Sequence, residues 1–171
     1  MKQIIKNRFI KPFSFKTYNE LSYFSKSYEK GKHLWLGGLN GQHFITYQFC
    51  DSLTNEVFFL LSFSSEKMES ELALMQWHES KLIVVETDIQ VHLINEELSI
   101  IASLDISSPI IGFHLTPTNN LLILEEASMR LIDFEGTIIM DELFDLAEDF
   151  TLEGNILTIK TAEGKRQIEL R

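Results

Sequence analysis

The side chains able to do chemistry are few and scattered. Cys50 is the single cysteine. One thiol cannot form an internal disulfide, and as a nucleophile it would need a positioned imidazole and an oxyanion donor. His43 stands seven residues upstream, but a dyad is made in space, not in sequence. The plainer reading is a small apolar residue in a strand. The five histidines, His33, His43, His78, His92 and His114, show no ligand spacing. His78-Glu79 lacks the second histidine of the helical zinc motif. Gly37-Gly38-Leu39-Asn40-Gly41 has no following lysine to hold a phosphate, and it reads as a turn between strands. No Gly-x-Ser-x-Gly elbow occurs. The expectation is a non-catalytic chain with no metal and no cofactor. One alternative is an enzyme whose site is assembled from distant residues, which would need a cleft with converging polar groups.

Carboxylates are plentiful. There are 25 Asp plus Glu against 15 Lys plus Arg, a formal net charge of −10. They recur in pairs: Glu86 with Asp88, Glu96-Glu97, Glu125-Glu126 and Asp141-Glu142, followed by Asp145, Glu148 and Asp149. At strand ends and turns they are expected to be solvated. From Glu135 to Glu153 the chain holds seven acidic residues and no Lys or Arg. Such a field attracts a basic partner and speeds its association. Glu125, Glu126, Asp141, Glu142, Asp145, Glu148 and Asp149 are therefore the expected partner-binding set. The functional expectation is a protein-binding module that docks a basic protein. Its sharpest form is an immunity-type inhibitor that occludes a basic, nuclease-like toxin. The other alternative is a structural β-domain that completes itself as a homo-oligomer.

The charge is unevenly placed. Residues 1–33 carry eight basic and two acidic residues, net +6, and residues 34–171 carry net −16. The break divides a basic N-terminal segment, 1–33, from an acidic body, 34–171. The segment also holds Phe9, Phe13, Phe15, Tyr18, Tyr23, Phe24 and Tyr28. Basic residues interleaved with aromatics could bind single-stranded nucleic acid. The acidic body would repel phosphate, so the favoured reading packs these aromatics onto the body. Phe13-Ser14-Phe15 alternates like a strand, and residues 19–24 read as an ambiguous short helix.

From Leu34 onward strand signals dominate: runs of β-branched and aromatic residues bounded by polar turns. Residues 43–50, 55–63, 72–77 and 81–87 are such runs. Asp141 to Glu148 is the best helical candidate in this part, with Leu143, Phe144 and Ala147 on one short face. The runs repeat. Leu82-Ile83-Val84-Val85-Glu86 precedes Leu121-Leu122-Ile123-Leu124-Glu125 by 39 residues, and Ile156-Leu157-Thr158-Ile159-Lys160 follows 35 later. Trp77, Phe113 and Phe150 precede the runs at spacings of 36 and 37. A period near this length, made of short strands, indicates stacked four-stranded units.

The middle unit is the clearest. Strands are expected over 110–115, 121–125, 129–134 and 137–140, with turns at Pro117-Thr118-Asn119-Asn120 and Glu135-Gly136. This unit resembles a blade of a WD-repeat-like β-propeller. Pro117-Thr118-Asn119 matches the turn between the first two strands of such a blade, and Leu131-Ile132-Asp133 matches the ending near the third. Ile132 stands where that family commonly has an aromatic, and the Gly-His and Trp-Asp dipeptides are absent. The resemblance covers residues 71–170 and implies antiparallel meanders. Two full units, one partial unit and one more in residues 34–63 fall short of the four to eight blades of closed propellers. The expected fold is therefore mainly β with little helix: blade-like meanders in an incomplete propeller or a sandwich-like stack. An array of that kind exposes strand edges and a bare end, which the aromatic N-terminal segment is expected to cover.

No apolar leader core precedes residue 12. The longest uncharged stretch, 106–124, contains Pro109, Pro117 and four Ser or Asn residues, which excludes a membrane span. A cytoplasmic location is expected. A chain of this length suggests one domain large enough to bury a real core.

Overall fold

The computed structural model describes residues 8–28, 32–77 and 79–170, with Arg8 described by its backbone only. His78, and Lys2, Lys6, Glu29 and Lys30 of the basic segment, lie outside them. The described residues form four sheets. The first contains β1 (Arg8–Phe15), β2 (His33–Leu36), β3 (His43–Asp51) and β4 (Val57–Ser65) in the order β1-β3-β4-β2. The helix α1 (Tyr18–Ser25) lies between β1 and β2 in sequence. The second sheet is a meander of β5 (Leu74–Trp77), β6 (Leu82–Glu86), β7 (Gln90–Asn95) and β8 (Ile100–Asp105). The third repeats it with β9 (Ile110–Leu115), β10 (Leu121–Glu125), β11 (Ser128–Ile132) and β12 (Ile138–Leu143). The fourth has three strands, β13 (Ala147–Glu153), β14 (Ile156–Thr161) and β15 (Gly164–Glu169). Every pairing is antiparallel except β2 with β4.

The repeated apolar runs become the middle strands of each meander. β6 and β10 are buried along their whole length. A strand buried on both faces reads as continuous rather than alternating hydrophobicity, and here each such strand lies between two neighbouring sheets. Three separate cores follow. Ile45, Tyr47 and Phe49 of β3, Leu61 and Phe63 of β4, and Ile83 and Val85 of β6 join the first sheet to the second. Trp77, Val84, Leu93, Leu121 and Ile123 join the second to the third. Leu122, Leu124, Met129, Leu131, Leu157 and Ile159 join the third to the fourth. The sheets are thus stacked blades, each adding one apolar interface.

The two ends of the stack are finished differently. On the outer face of the first sheet lies α1, started by a capping box in which Thr17 and Glu20 satisfy each other's backbone amides. Leu21 is buried. Phe24 packs between Phe13 and Phe15 at centroid distances of 4.9 and 5.2 Å, and Tyr18 meets Trp35 edge-on at 5.7 Å. The charge break at residue 33 falls inside this first sheet, since β1 precedes it and β2 begins on it. At the other end, the outer face of the fourth sheet carries Asp149 opposite Lys160, and Thr151 opposite Thr158. Lys165 and Gln167 extend that polar face on β15. These polar side chains face water.

The helix expected over Asp141 to Glu148 is not formed. Residues 138–143 are β12, residues 147–153 are β13, and only 144–146 connect them. Met140 on β12 and Phe144, Ala147 and Phe150 beyond it all pack into the third core. That burial is reached by two strands in different sheets, and it outweighs a helical face of three residues.

Candidate interaction surface

The carboxylates divide into two groups with opposite surroundings. The first group repeats with the blades. Glu86 ends β6 and Glu125 ends β10, and both side chains are withdrawn from water, at 1% and 0% exposure. Each faces the crossover that brings the chain into its own sheet. Glu86 accepts from the Ala73 N–H at 2.8 Å and from Lys67 Nζ at 2.6 Å. Glu125 accepts from the Ser107 and Ser108 N–H groups, both at 2.8 Å, from the Ser107 hydroxyl at 2.7 Å, and from the Arg130 guanidinium. Burial pushes the Glu125 carboxyl up, but the Ser107 hydroxyl, Arg130 and the two backbone amides outweigh it and hold it below the usual carboxylate range. The expectation of solvated carboxylates is therefore corrected for both residues. Glu125 is also removed from the partner-binding set, because its oxygens are spent on holding the crossover and none reaches the surface.

The second group lies where the third sheet passes into the fourth. Asp141, Asp145, Glu148 and Asp149 are exposed, and Glu126 and Glu142 are partly buried. Asp141 and Glu142 stand on β12, Asp145 in the connection, and Glu148 and Asp149 on β13. Two of these charges are locally matched. Glu142 binds Arg166 at 2.6 Å, and Glu148 binds Lys160 at 2.9 Å. The Glu148 carboxylate raises the Lys160 ammonium above its ordinary range. Among the described residues no Lys or Arg forms an ion pair with Asp141, Asp145 or Asp149, and all three are exposed. Arg166 and Lys160 were not legible as members of the site. They follow the acidic run by seven residues or more, and only the β13-β14-β15 meander folds them back onto it.

Among the described residues, three hollows bear on these groups. One of about 530 Å³ lies beside the second group, with Leu143, Phe144, Asp145, Glu163, Lys165 and Arg166 among its walls. A second, of about 270 Å³, lies between the first two sheets, where the Gly37–Gly41 turn faces Asp88 and Gln90. Asp88 is tied there by the Ser65 hydroxyl at 2.5 Å and the Glu66 N–H at 2.7 Å. The third, of about 710 Å³, is an apolar hollow around Tyr23 and Phe24 of α1. The histidines are structural in their contacts. His33 meets Ser62 and His92 meets Ser103, each at 2.8 Å, and His114 packs edge-on to Phe150. Burial lowers the affinity of all three imidazoles for a proton. Cys50 is buried in β3, and burial pushes its thiol up, away from the reactive thiolate. Among the described residues no three His, Cys, Asp or Glu side chains converge as a metal site would require.

No family model matches the chain, and no curated protein matches it. Among solved structures, BamB from Moraxella catarrhalis, a β-propeller, is similar with a TM-score of 0.50 at 13% identity, over 72% of this chain and 39% of that one. A protein of unknown function from Bacteroides caccae is similar with a TM-score of 0.46 at 10% identity, over 74% of this chain and 59% of that one. The chain thus spans well under half the length of BamB. The likeness to BamB shows the fold: antiparallel β-blades stacked in the manner of a propeller.

Proposed function

We propose that the chain is a non-catalytic protein-binding module that docks a basic protein on the exposed carboxylates of β12, of β13 and of the connection that joins them. The observation that carries this reading is the joint exposure of Asp141, Asp145, Glu148 and Asp149 on adjoining elements of a chain with net charge −10. Fixed negative charge on a rigid blade steers a basic partner and sets its register. The WD-repeat-like pattern of residues 71–170 belongs with the same reading, as a scaffold that presents its strand ends and turns. The sharper form is an immunity-type inhibitor, in which this surface occludes a basic nuclease toxin.

The test uses cytochrome c as a basic probe and follows binding across a salt series. The variant Asp141→Asn/Asp145→Asn/Asp149→Asn is compared with a control that loses the same charge elsewhere, Glu56→Gln/Glu79→Gln/Glu97→Gln. The reading expects affinity to fall steeply with salt, and to fall at least fivefold more for the first variant than for the control. Equal losses would mean that net charge alone is responsible and would remove the site. For the sharper form, the chain is co-expressed with a basic secreted protein from a neighbouring reading frame. Survival of the cells supports neutralisation, and death despite matched expression rejects it.

Self-assembly is a second reading, favoured by the open outer edges of β8 and β12. Ile100, Ile101, Ile138 and Ile139 on those edges are each 43–46% exposed, and unpaired apolar edges invite pairing. Light scattering on a dilution series separates it from the first reading, since a monomer throughout argues against assembly.

A further inference from the structure

The hollow of about 270 Å³ between the first two sheets is walled by four stretches of chain. One is the connection from β2 to β3, residues 37–42. A second is the end of β4 at Ser64, with Glu66 just beyond it. The third is the turn from β6 to β7, which carries Thr87 and Asp88, and the fourth is β7 itself, with Gln90 and His92. Gly41 presses the β2–β3 connection against the end of β4, where an added Cβ would stand 2.3 Å from the Ser65 backbone nitrogen. The Ser64 hydroxyl fastens the same connection, accepting from the Gly41 N–H at 3.2 Å and donating to the Gly38 carbonyl at 2.8 Å. Short contacts to backbone therefore hold these walls in place.

The charged groups on the walls are of one sign. Glu66 and Asp88 line the hollow and no Lys or Arg does, whereas the hollow beside β15 has Lys165 and Arg166 in its wall. Asp88 is fixed in position. The Ser65 hydroxyl, itself fully buried, donates to one carboxylate oxygen at 2.5 Å, and the Glu66 N–H donates to the other at 2.7 Å. Each of those oxygens keeps a second lone pair. The Glu66 carboxylate is exposed and makes no ion pair among the described residues.

His92 adds a group of a different kind. It lines the hollow although only 5% exposed. Its ladder partner Ser103 occupies Nδ1 at 2.8 Å, and among the described residues Nε2 has no hydrogen-bond partner. Burial lowers the ring's affinity for a proton, so it is neutral and does not repel a cation. With the Nδ1 proton donated to Ser103, Nε2 is an acceptor.

We propose that this hollow binds a guanidinium group. Two carboxylates with no basic residue on the walls select a cation. The acceptors stand around a space and do not converge on a point: among the described residues no three His, Cys, Asp or Glu side chains meet as a metal site requires. A compact ammonium also wants its acceptors focused on one atom, whereas guanidinium spreads its charge over a planar fork of N–H donors and suits acceptors that stand apart. The group belongs either to an arginine of a partner protein or to a small guanidinium compound. This site is separate from the carboxylates of β12 and β13, and it does not depend on them.

The experiment titrates the full chain with three blocked pentapeptides whose central residue, between glycines, is arginine, lysine or citrulline, and separately with methylguanidinium chloride. The His92 ring signals are followed by NMR. The arginine peptide is expected to shift them saturably, with the lysine peptide about fivefold weaker and the uncharged citrulline peptide weaker still. Glu66→Gln, which removes an exposed carboxylate and no hydrogen bond, should weaken the arginine peptide about threefold. Asp88→Asn should weaken it about tenfold. Glu97→Gln lies outside the hollow and should leave binding unchanged, which separates the site from net charge. Thermal unfolding checks each variant, and if Asp88→Asn does not fold, Glu66→Gln decides alone. No saturable shift at millimolar arginine peptide overturns the proposal. So does equal binding of the lysine or citrulline peptide, or wild-type affinity in Glu66→Gln. Methylguanidinium binding as tightly as the arginine peptide supports a small guanidinium compound as the ligand, and a tighter peptide supports an arginine of a partner protein.

Discussion

Trp77 and Asn119 join the second blade to the third: the indole N–H donates to the Asn119 side-chain oxygen at 2.9 Å. Trp77 ends β5 and is fully buried. Asn119 sits in the β9–β10 turn with a φ of 61°, a conformation that asparagine tolerates better than most residues. A turn in one blade thereby satisfies the one polar atom of the largest side chain in the core between the two.

Trp77→Phe is expected to destabilise the chain by about 2–3 kcal/mol, from the lost hydrogen bond and the space left by the smaller ring. Urea unfolding followed by circular dichroism measures it. A loss below about 0.5 kcal/mol would show that the bond contributes nothing net.

Glu125→Gln should cost about 3–5 kcal/mol, because it leaves the Arg130 guanidinium buried without its counter-charge. Glu86→Gln should cost less, about 1–2 kcal/mol, since its partner Lys67 keeps 32% of its side chain in water. The same urea series reads both, and a reversed order would refute this account of the two carboxylates.

Gly136 lies in the β11–β12 turn with a φ of 82°, and a Cβ added there would stand 2.3 Å from the Ala102 Cβ of the neighbouring blade. Gly154 has a φ of 61° with open space around it. Gly136→Ala is expected to lower stability by about 2–4 kcal/mol, from both strain and overlap. Gly154→Ala is expected to lower it by about 1 kcal/mol, from strain alone. Calorimetric melting of the two variants separates blade contact from backbone conformation.

Stability should decline on acidification. His33, His92 and His114 bind a proton less readily in the folded chain than at their ordinary value of 6.5. Below that value the unfolded chain takes up protons that the folded one resists, so stability is lost as pH falls through the folded values. Glu125, held low, adds a further loss below its ordinary value of 4.5. Urea midpoints measured from pH 7.5 to 4 should fall, beginning near 6.5. His92→Gln should flatten the upper part of that decline. A midpoint constant down to pH 5 would contradict it.

Residue order was enough for the blade architecture. The continuous apolar runs 82–86 and 121–125, 39 positions apart, are satisfied by strands covered on both faces, whereas the run 35 positions later carries Thr158 and Lys160 and is covered on one face. The third sheet follows the expected four strands closely, because Pro117–Asn120 and Glu135-Gly136 are strong turn formers on either side of them. Residue order was not enough for the fate of the carboxylates. Glu86 and Glu125 look like surface residues until the crossover amides of Ala73, Ser107 and Ser108 arrive, from 13 to 18 positions earlier in the chain. The same holds for 141–148, where the local spacing suits a helix and burial against another sheet makes two strands instead. Short-range pattern carries secondary structure when one face must be apolar. Burial of a charge, and the choice between helix and strand in a brief segment, depend on partners that only the stacked blades bring within reach.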